Sequence, residues 1–300
     1  MRCYTAFGLR IASDWPLDEL APAADGPCDV RITRRRIEPD EEWLSEDGQH
    51  IVAYYFDQAV FLVLGGREIV VDIRKEVPDE DIKARLLGEM MAGIMRQRGW
   101  LVLHASAVSD GVRAVAILGE SGWGKSTLVE YLCQQGYGLV TDDVMPVDLS
   151  GPAPVVIPSY AQIRLRPDAA ERLVPHASEV LVPIERNGFK QARNGVRMAA
   201  RAVPLAAVLF LQPHFDEETA LVEIAPTEAL MRTIAHTRAK NLIHTNAQPL
   251  LKEHLAQCHR LLRDLPCRVL TRRRGFDALP EYEREIGRFL GAASRQPAAV

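Results

Sequence analysis

Ala114-Val115-Ala116-Ile117-Leu118 runs directly into Gly119-Glu120-Ser121-Gly122-Trp123-Gly124-Lys125-Ser126-Thr127, and then into Leu128, Leu132 and Gln135. The first run is short and apolar, as a buried strand requires. The last reads as a helix that Gly136 can end. Between them stands the pattern G-x-x-x-x-G-K-S/T. Its glycines let successive backbone N–H groups point inward around phosphate oxygens and deliver them to a helix N-terminus. Lys125 then reaches the β- and γ-phosphates, the Ser126 hydroxyl can ligate magnesium, and Thr127 continues the first turn. ATP and Mg²⁺ are the implied cofactors, with residues 119 to 127 as the nucleotide site.

Working outward, Leu139-Val140 leads into Thr141-Asp142-Asp143-Val144, placing two adjacent carboxylates 17 and 18 residues after Lys125. Successive strand residues point to opposite sides, so a regular strand would aim only one of them at the phosphates. At the C-terminal end of a strand, where open α/β sheets bind ligands, both can turn inward. One carboxylate would hold magnesium while the other takes a proton from an attacking hydroxyl. Upstream, His104 sits in Leu103-His104-Ala105-Ser106-Ala107-Val108; a lone histidine beside an apolar run is more often structural than catalytic.

The rest of the chain supports an α/β fold, with a small β-rich domain over 1–77 and a phosphate-loop domain over 78–300. Residues 55 to 73 show apolar runs separated by Asp57-Gln58 and Gly65-Gly66, the signature of a meander. Segment 11 to 28 carries Pro16, Pro22 and Pro27 and is expected to be loop. A helix should start after Pro78, with Asp79, Glu80 and Asp81 in its first turn, Ile82, Leu86, Met90 and Ile94 on one face, and Gly99 as its stop. Strand-like runs follow at 100–103, 138–140, 205–211, 220–224 and 267–270. Thr227 is the expected N-cap of a further helix. Leu251, Leu255, Cys258 and Leu262 are the expected apolar face of another, and Leu279, Tyr282, Ile286 and Phe289 that of the last. Residues 185 to 201, rich in Arg, Lys, Asn and Gly, read as a mobile basic loop; the tail 291 to 300 reads as frayed.

The totals narrow the function. A net charge of -4 gives no field for nucleic acid or an anionic membrane, and neither partner is expected. No apolar run approaches spanning length, and there is no apolar signal core. Five widely spaced cysteines without a C-x-x-C pair argue against a disulfide framework or structural zinc, so the expected compartment is the cytoplasm.

Together, the stretches 103–108, 119–127, 136–144 and Gln162-Ile163-Arg164-Leu165-Arg166-Pro167-Asp168 resemble the kinase domain of HPr kinase/phosphorylase. More closely, they resemble the related serine kinases of lasso-peptide gene clusters. The likeness covers about residues 86 to 290, and reaches the N-terminal unit only through Phe7-Gly8-Leu9. It implies a fold akin to phosphoenolpyruvate carboxykinase and transfer of the γ-phosphate of ATP to a serine, most simply in a ribosomally made precursor peptide or a small protein. It further implies Asp142 as base, His104 as its partner, Lys125 as the catalytic cation, and Ser126 with Asp143 at the metal. The hexameric state of HPr kinases implies a homo-oligomer. The family's Glu-Arg-Gly signature is missing between the aspartates and the C-terminal helices, which disfavours HPr as substrate. A small hydroxylated metabolite as acceptor, and a nucleotide-binding module without catalysis, are the competing readings; a pure binder has no need of a base.

Overall fold

The structure, a computed structural model, describes residues 1–24, 26–174, 181–183, 190–214, 218–238, 248–273 and 275–290. Its strands begin with β1 (Arg2–Ala6), β2 (Leu9–Ser13), β3 (Ala21–Pro22), β4 (Val30–Arg34), β5 (His50–Tyr55), β6 (Ala59–Leu64) and β7 (Glu68–Ile73). These form one sheet in the order β3-β1-β2-β4-β7-β6-β5. The expected meander is β5-β6-β7, with Gly65 and Gly66 both at positive φ in its second turn. A two-residue turn of this hand matches the twist of the strands it joins. Phe7-Gly8 makes the equivalent turn between β1 and β2. The expectation of a loop over 11–28 is corrected, since β2 and β3 both fall within or across it. Ile11, Trp15 and Leu17 are buried, and Pro22 sits on an edge strand, where a missing N–H is tolerated.

Across this sheet lies a helix begun by α1 (Asp79–Arg85), continued by one π turn (Leu86–Met90) and ended by α2 (Met91–Gln97). Pro78 precedes it and Gly99, at φ +84°, follows it. Ile82, Leu86, Met90 and Ile94 are all buried in one cluster with β1, β2, β6 and β7. Burying four such side chains is worth roughly 6–12 kcal/mol before chain entropy, which is why the helix stays on the sheet despite its irregular turn.

The second sheet contains β8 (Leu101–Leu103), β9 (Ala105–Ser109), β10 (Ala114–Leu118), then, after α3 (Lys125–Gln134), β11 (Gly138–Thr141), β12 (Met145–Asp148) and β13 (Val155–Val156). A short third sheet pairs β14 (Gln162–Leu165), which leads into α4 (Pro167–Leu173), with β15 (Leu181–Pro183) and β16 (Gln191–Asn194). The chain then adds β17 (Val203–His214), β18 (Ala220–Glu223), α5 (Pro226–Ala235), α6 (Gln248–Leu262), β19 (Cys267–Arg273) and α7 (Leu279–Gly287). The second sheet runs β11-β9-β10-β17-β13-β12-β8, with β19 on β17 and β18 on β19. It is mixed: β10, β17 and β19 are parallel, while β9 is antiparallel to both β10 and β11. Among the described residues no helix is long and apolar enough to cross a membrane.

Three local expectations are corrected. Thr227 is not the cap of α5, because Ala225 takes that place and Pro226 begins the helix. In the 185–201 segment, residues 185–189 fall outside the described residues, but Gln191–Asn194 is strand, paired on both sides. The buried face of α6 is His254, Cys258 and Leu261, whereas Leu251 and Leu255 are exposed. The histidine can take a core position because Thr237 Oγ1 lies 2.7 Å from its Nε2. The tail 291–300 lies outside the described residues.

His254 gives the fold a measurable pH dependence. Burial, and then Arg96, lower its pKa from 6.5 to about 4. The unfolded chain therefore binds more protons between these values, so stability is full above about 6.5 and falls as pH drops toward 4. In urea titrations across that window, the stability difference between wild type and His254→Gln should change with pH in that direction. A pH-independent difference would contradict the assignment.

Candidate functional site

The phosphate loop joins β10 to α3. Gly122 at φ +82° and Gly124 at φ +88° occupy the left-handed region that a side chain disfavours. The turn they make brings Lys125 back over its own loop, where Nζ donates to Gly119 O at 2.7 Å and Glu120 O at 3.2 Å. Burial lowers the Lys125 pKa, while Asp142 and then Asp143 act in the other direction. The loop opens on a cavity of about 470 Å³, within the range of small-molecule sites. His104, Lys125, Ser126, Asp142 and Asp143 all line it, beside the apolar side chains of Trp123, Pro213 and Phe276.

Both aspartates reach the cavity because the chain leaves its extended path after Asp142. Asp143 has φ +76°, one of three non-glycine residues at positive φ among the described residues. Such a conformation costs about 1–3 kcal/mol and persists only where contacts enforce it. Here the Thr141 hydroxyl donates to Val144 O and Val144 N donates to Asp142 O, closing the turn from both ends.

The turn sends the carboxylates to different partners. Asp142 Oδ1 accepts from Ser126 Oγ at 3.0 Å and Ser106 Oγ at 2.6 Å, and its Oδ2 accepts from Arg164 N at 3.1 Å. Asp143 lies on His104, with Nδ1 at 2.9 Å from Oδ1, and on two guanidinium groups, Arg238 Nη2 at 3.0 Å and Arg164 Nη1 at 3.6 Å. Burial would raise the Asp143 pKa, but Arg238, the His104 hydrogen bond and Arg164 together hold it well below the usual carboxylate range. His104 Nε2 is 3.3 Å from Lys125 Nζ. An ammonium only donates, so Nε2 presents its lone pair and the ring proton sits on Nδ1, facing Asp143.

In the structure His104 contacts Asp143 rather than Asp142, and Ser126 contacts Asp142 rather than Asp143. Cis ligands of an octahedral Mg²⁺ at 2.0–2.1 Å are about 2.9 Å apart. The 3.0 Å between Ser126 Oγ and Asp142 Oδ1 fits that spacing. Asp143, already claimed by three cationic or proton-donating groups, is the poorer candidate ligand. Of the basic segment, Lys190 lines the cavity. Arg193, however, is paired at 3.1 Å with buried Glu130, and Arg197 donates to Gly136 O, so neither is free to close over phosphates.

Sequence reasoning missed Ser106, Arg238 and Tyr160 as site residues and noted Arg164 only in passing. Ser106 had a readable signal, since His104 and Ser106 alternate with apolar neighbours on one face. Arg238 had none. It arrives because residues 236–238 run beside β8, with His104 N donating to His236 O at 2.6 Å and Arg238 N to Val102 O at 2.9 Å.

In comparisons with known proteins, a solved structure of the HPr(Ser) kinase/phosphatase from Coxiella burnetii matches at 18% identity and a TM-score of 0.26, over 54% of this chain and 98% of that one. No family model and no curated protein matches the chain. What the site can do follows from its own groups.

The division of the aspartates is testable by binding alone. Asp142→Asn should raise at least tenfold the Mg²⁺ concentration needed for tight binding of a non-hydrolysable ATP analogue, measured by calorimetry, while Asp143→Asn should leave it unchanged. The reverse pattern would return the metal to Asp143.

Proposed function

We propose that this chain is an ATP-dependent phosphotransferase that moves the γ-phosphoryl group to a hydroxyl. The hydroxyl we propose is a serine of a ribosomally made precursor peptide or small protein, as the motif resemblance implies. One observation carries the reading: beside the loop, one carboxylate sits on Ser126 while its neighbour sits on His104, whose Nε2 turns its lone pair toward Lys125 Nζ in the cavity. A nucleotide-binding module needs the first carboxylate but has no use for the second.

Ser126 and Asp142 would hold Mg²⁺, which would supply charge neutralisation at the phosphates. Lys125, leaving the loop carbonyls, supplies a second fixed cation to the β- and γ-phosphates. His104 Nε2 accepts the proton of the incoming hydroxyl as its oxygen bonds to the γ-phosphorus and the bond to the β-phosphate oxygen breaks, releasing ADP. Asp143 accepts the Nδ1 proton bond of His104, which fixes the tautomer and favours the imidazolium as it forms. This assigns His104 as base and Asp143 as its orienting partner, with Asp142 at the metal. Trp123, Pro213 and Phe276 offer apolar surface for the nucleotide base.

Incubating the protein with Mg-ATP and a serine-bearing precursor peptide encoded beside its gene should add one phosphate mass to the peptide, with ADP formed in equal amount. Lys125→Ala should lower the rate about 10²–10³-fold by removing a preorganised charge. Free phosphate as the sole product, or phosphate added only to a metabolite, would contradict the peptide-kinase reading.

A further inference from the structure

No residue preceding His104 lines the cavity among the described residues, so the N-terminal unit touches the chemistry only indirectly. The two arginines that hold Asp143 nevertheless lead back toward it, Arg238 to the helix packed on its sheet and Arg164 through Tyr160 to its first hairpin. Arg238 lies against Gly88, where an added Cβ would stand 3.2 Å from Nη2. Gly88 belongs to the π turn of the helix whose flanking side chains, Leu86, Leu87 and Met90, are part of the N-terminal core. A π turn inside an α-helix frequently marks a functional position, and here it turns a bare backbone toward a charged group.

The second arginine has a separate brace. Arg164 Nη2 donates to Tyr160 Oη at 3.4 Å. The Tyr160 ring meets Phe7 edge-on at 5.8 Å between centroids, and Phe7 N donates to Ser159 O at 3.2 Å. Phe7 itself is the buried turn residue of the first hairpin, at φ +55°. Two independent contacts, one from the helix and one from the hairpin, thus converge through two guanidinium groups on one carboxylate.

We infer that the N-terminal sheet and the helix packed on it set the rate of phosphoryl transfer by fixing Asp143 through Arg238, seated on Gly88, and Arg164, seated on Tyr160, which Phe7 braces. This rests on the phosphotransferase reading above. Arg238, Gly88 and Tyr160 are positioning residues: none of them lines the cavity, and they act through Asp143 on His104. A Cβ at 88 would stand 3.2 Å from Arg238 Nη2, so the guanidinium would have to give by a few tenths of an ångström. A displacement of 1 Å at a positioned group can cost about 10²-fold in rate, so this smaller one should cost several-fold.

The test combines kinetics with a signal that does not need turnover. Gly88→Ala should lower kcat about fivefold, and Arg238→Ala about 10²-fold, with Arg238→Lys recovering part of the loss. Nucleotide affinity and its Mg²⁺ dependence should stay at wild-type values. Gly88→Ala should also keep or raise Tm, because alanine is the better helix former, so a fall in kcat could not be assigned to unfolding. In proton NMR, the Nδ1–H resonance of His104, assigned by its loss in His104→Gln, should move in Gly88→Ala, Tyr160→Phe and Arg238→Ala. An unmoved resonance with unchanged kcat would overturn the inference, as would a loss of kcat that merely tracks nucleotide affinity or Tm. A moved resonance in a protein that phosphorylates no hydroxyl would instead retain the relay and remove the phosphotransferase reading.

Discussion

The left-handed turn at Asp143 is the constraint on which the site depends. Without it, two adjacent residues at the end of a strand would point to opposite sides, and only one carboxylate would reach the cavity. With it, Asp142 meets Ser126 and Ser106 while Asp143 meets His104, Arg164 and Arg238. The strain of about 1–3 kcal/mol is small beside two guanidinium contacts and a histidine hydrogen bond to a largely dehydrated carboxylate. The two side chains are chemically identical and one residue apart, yet they stand in different surroundings. One lies among hydroxyls and a backbone N–H, suited to a hard cation. The other lies among cations, suited to orienting an imidazole.

The surrounding fold serves to hold that turn in register with the phosphate loop. β10 carries the loop, β11 carries the turn, and β9 lies between them, antiparallel to both. β9 is thus the spacer that sets the separation of Lys125 from the aspartates, and it also brings in Ser106 and the adjacent His104. Behind the turn, β14 brings Arg164, tied to the third sheet. The pairing of Arg193 with Glu130 joins that sheet to α3, so the helix that follows the loop is tied to the strand that contacts both aspartates.

Much of this was legible in the sequence because it depends on local rules. The strand-loop-helix around Lys125, the meander over 55–73 and the helix after Pro78 each follow from apolar period, glycine placement and end charges. The presence of both aspartates in the cavity followed from their place at a strand end. Their partners did not, because which carboxylate meets which group is decided by a backbone inversion that Asp tolerates without any sequence mark. Arg238 was equally hidden, since it reaches Asp143 by pairing of residues 236–238 with β8, more than 130 positions earlier. The apolar face of α6 was misplaced for a related reason: a tertiary hydrogen bond from Thr237 lets His254 displace leucine from the core. In the 185–201 segment, composition suggested mobility, but the strand at 191–194 is stabilised by pairing with strands on both sides, which composition does not show.

The central claim is the division of labour between the two aspartates, and a crystal structure with Mg²⁺ and a non-hydrolysable ATP analogue tests it most directly. The account predicts Ser126 Oγ and an Asp142 carboxylate oxygen in the metal's coordination sphere, about 2.0–2.2 Å from the ion, with Asp143 still on His104 Nδ1. A metal bound to Asp143, with Asp142 turned toward the γ-phosphate as the group nearest an incoming hydroxyl, would contradict it.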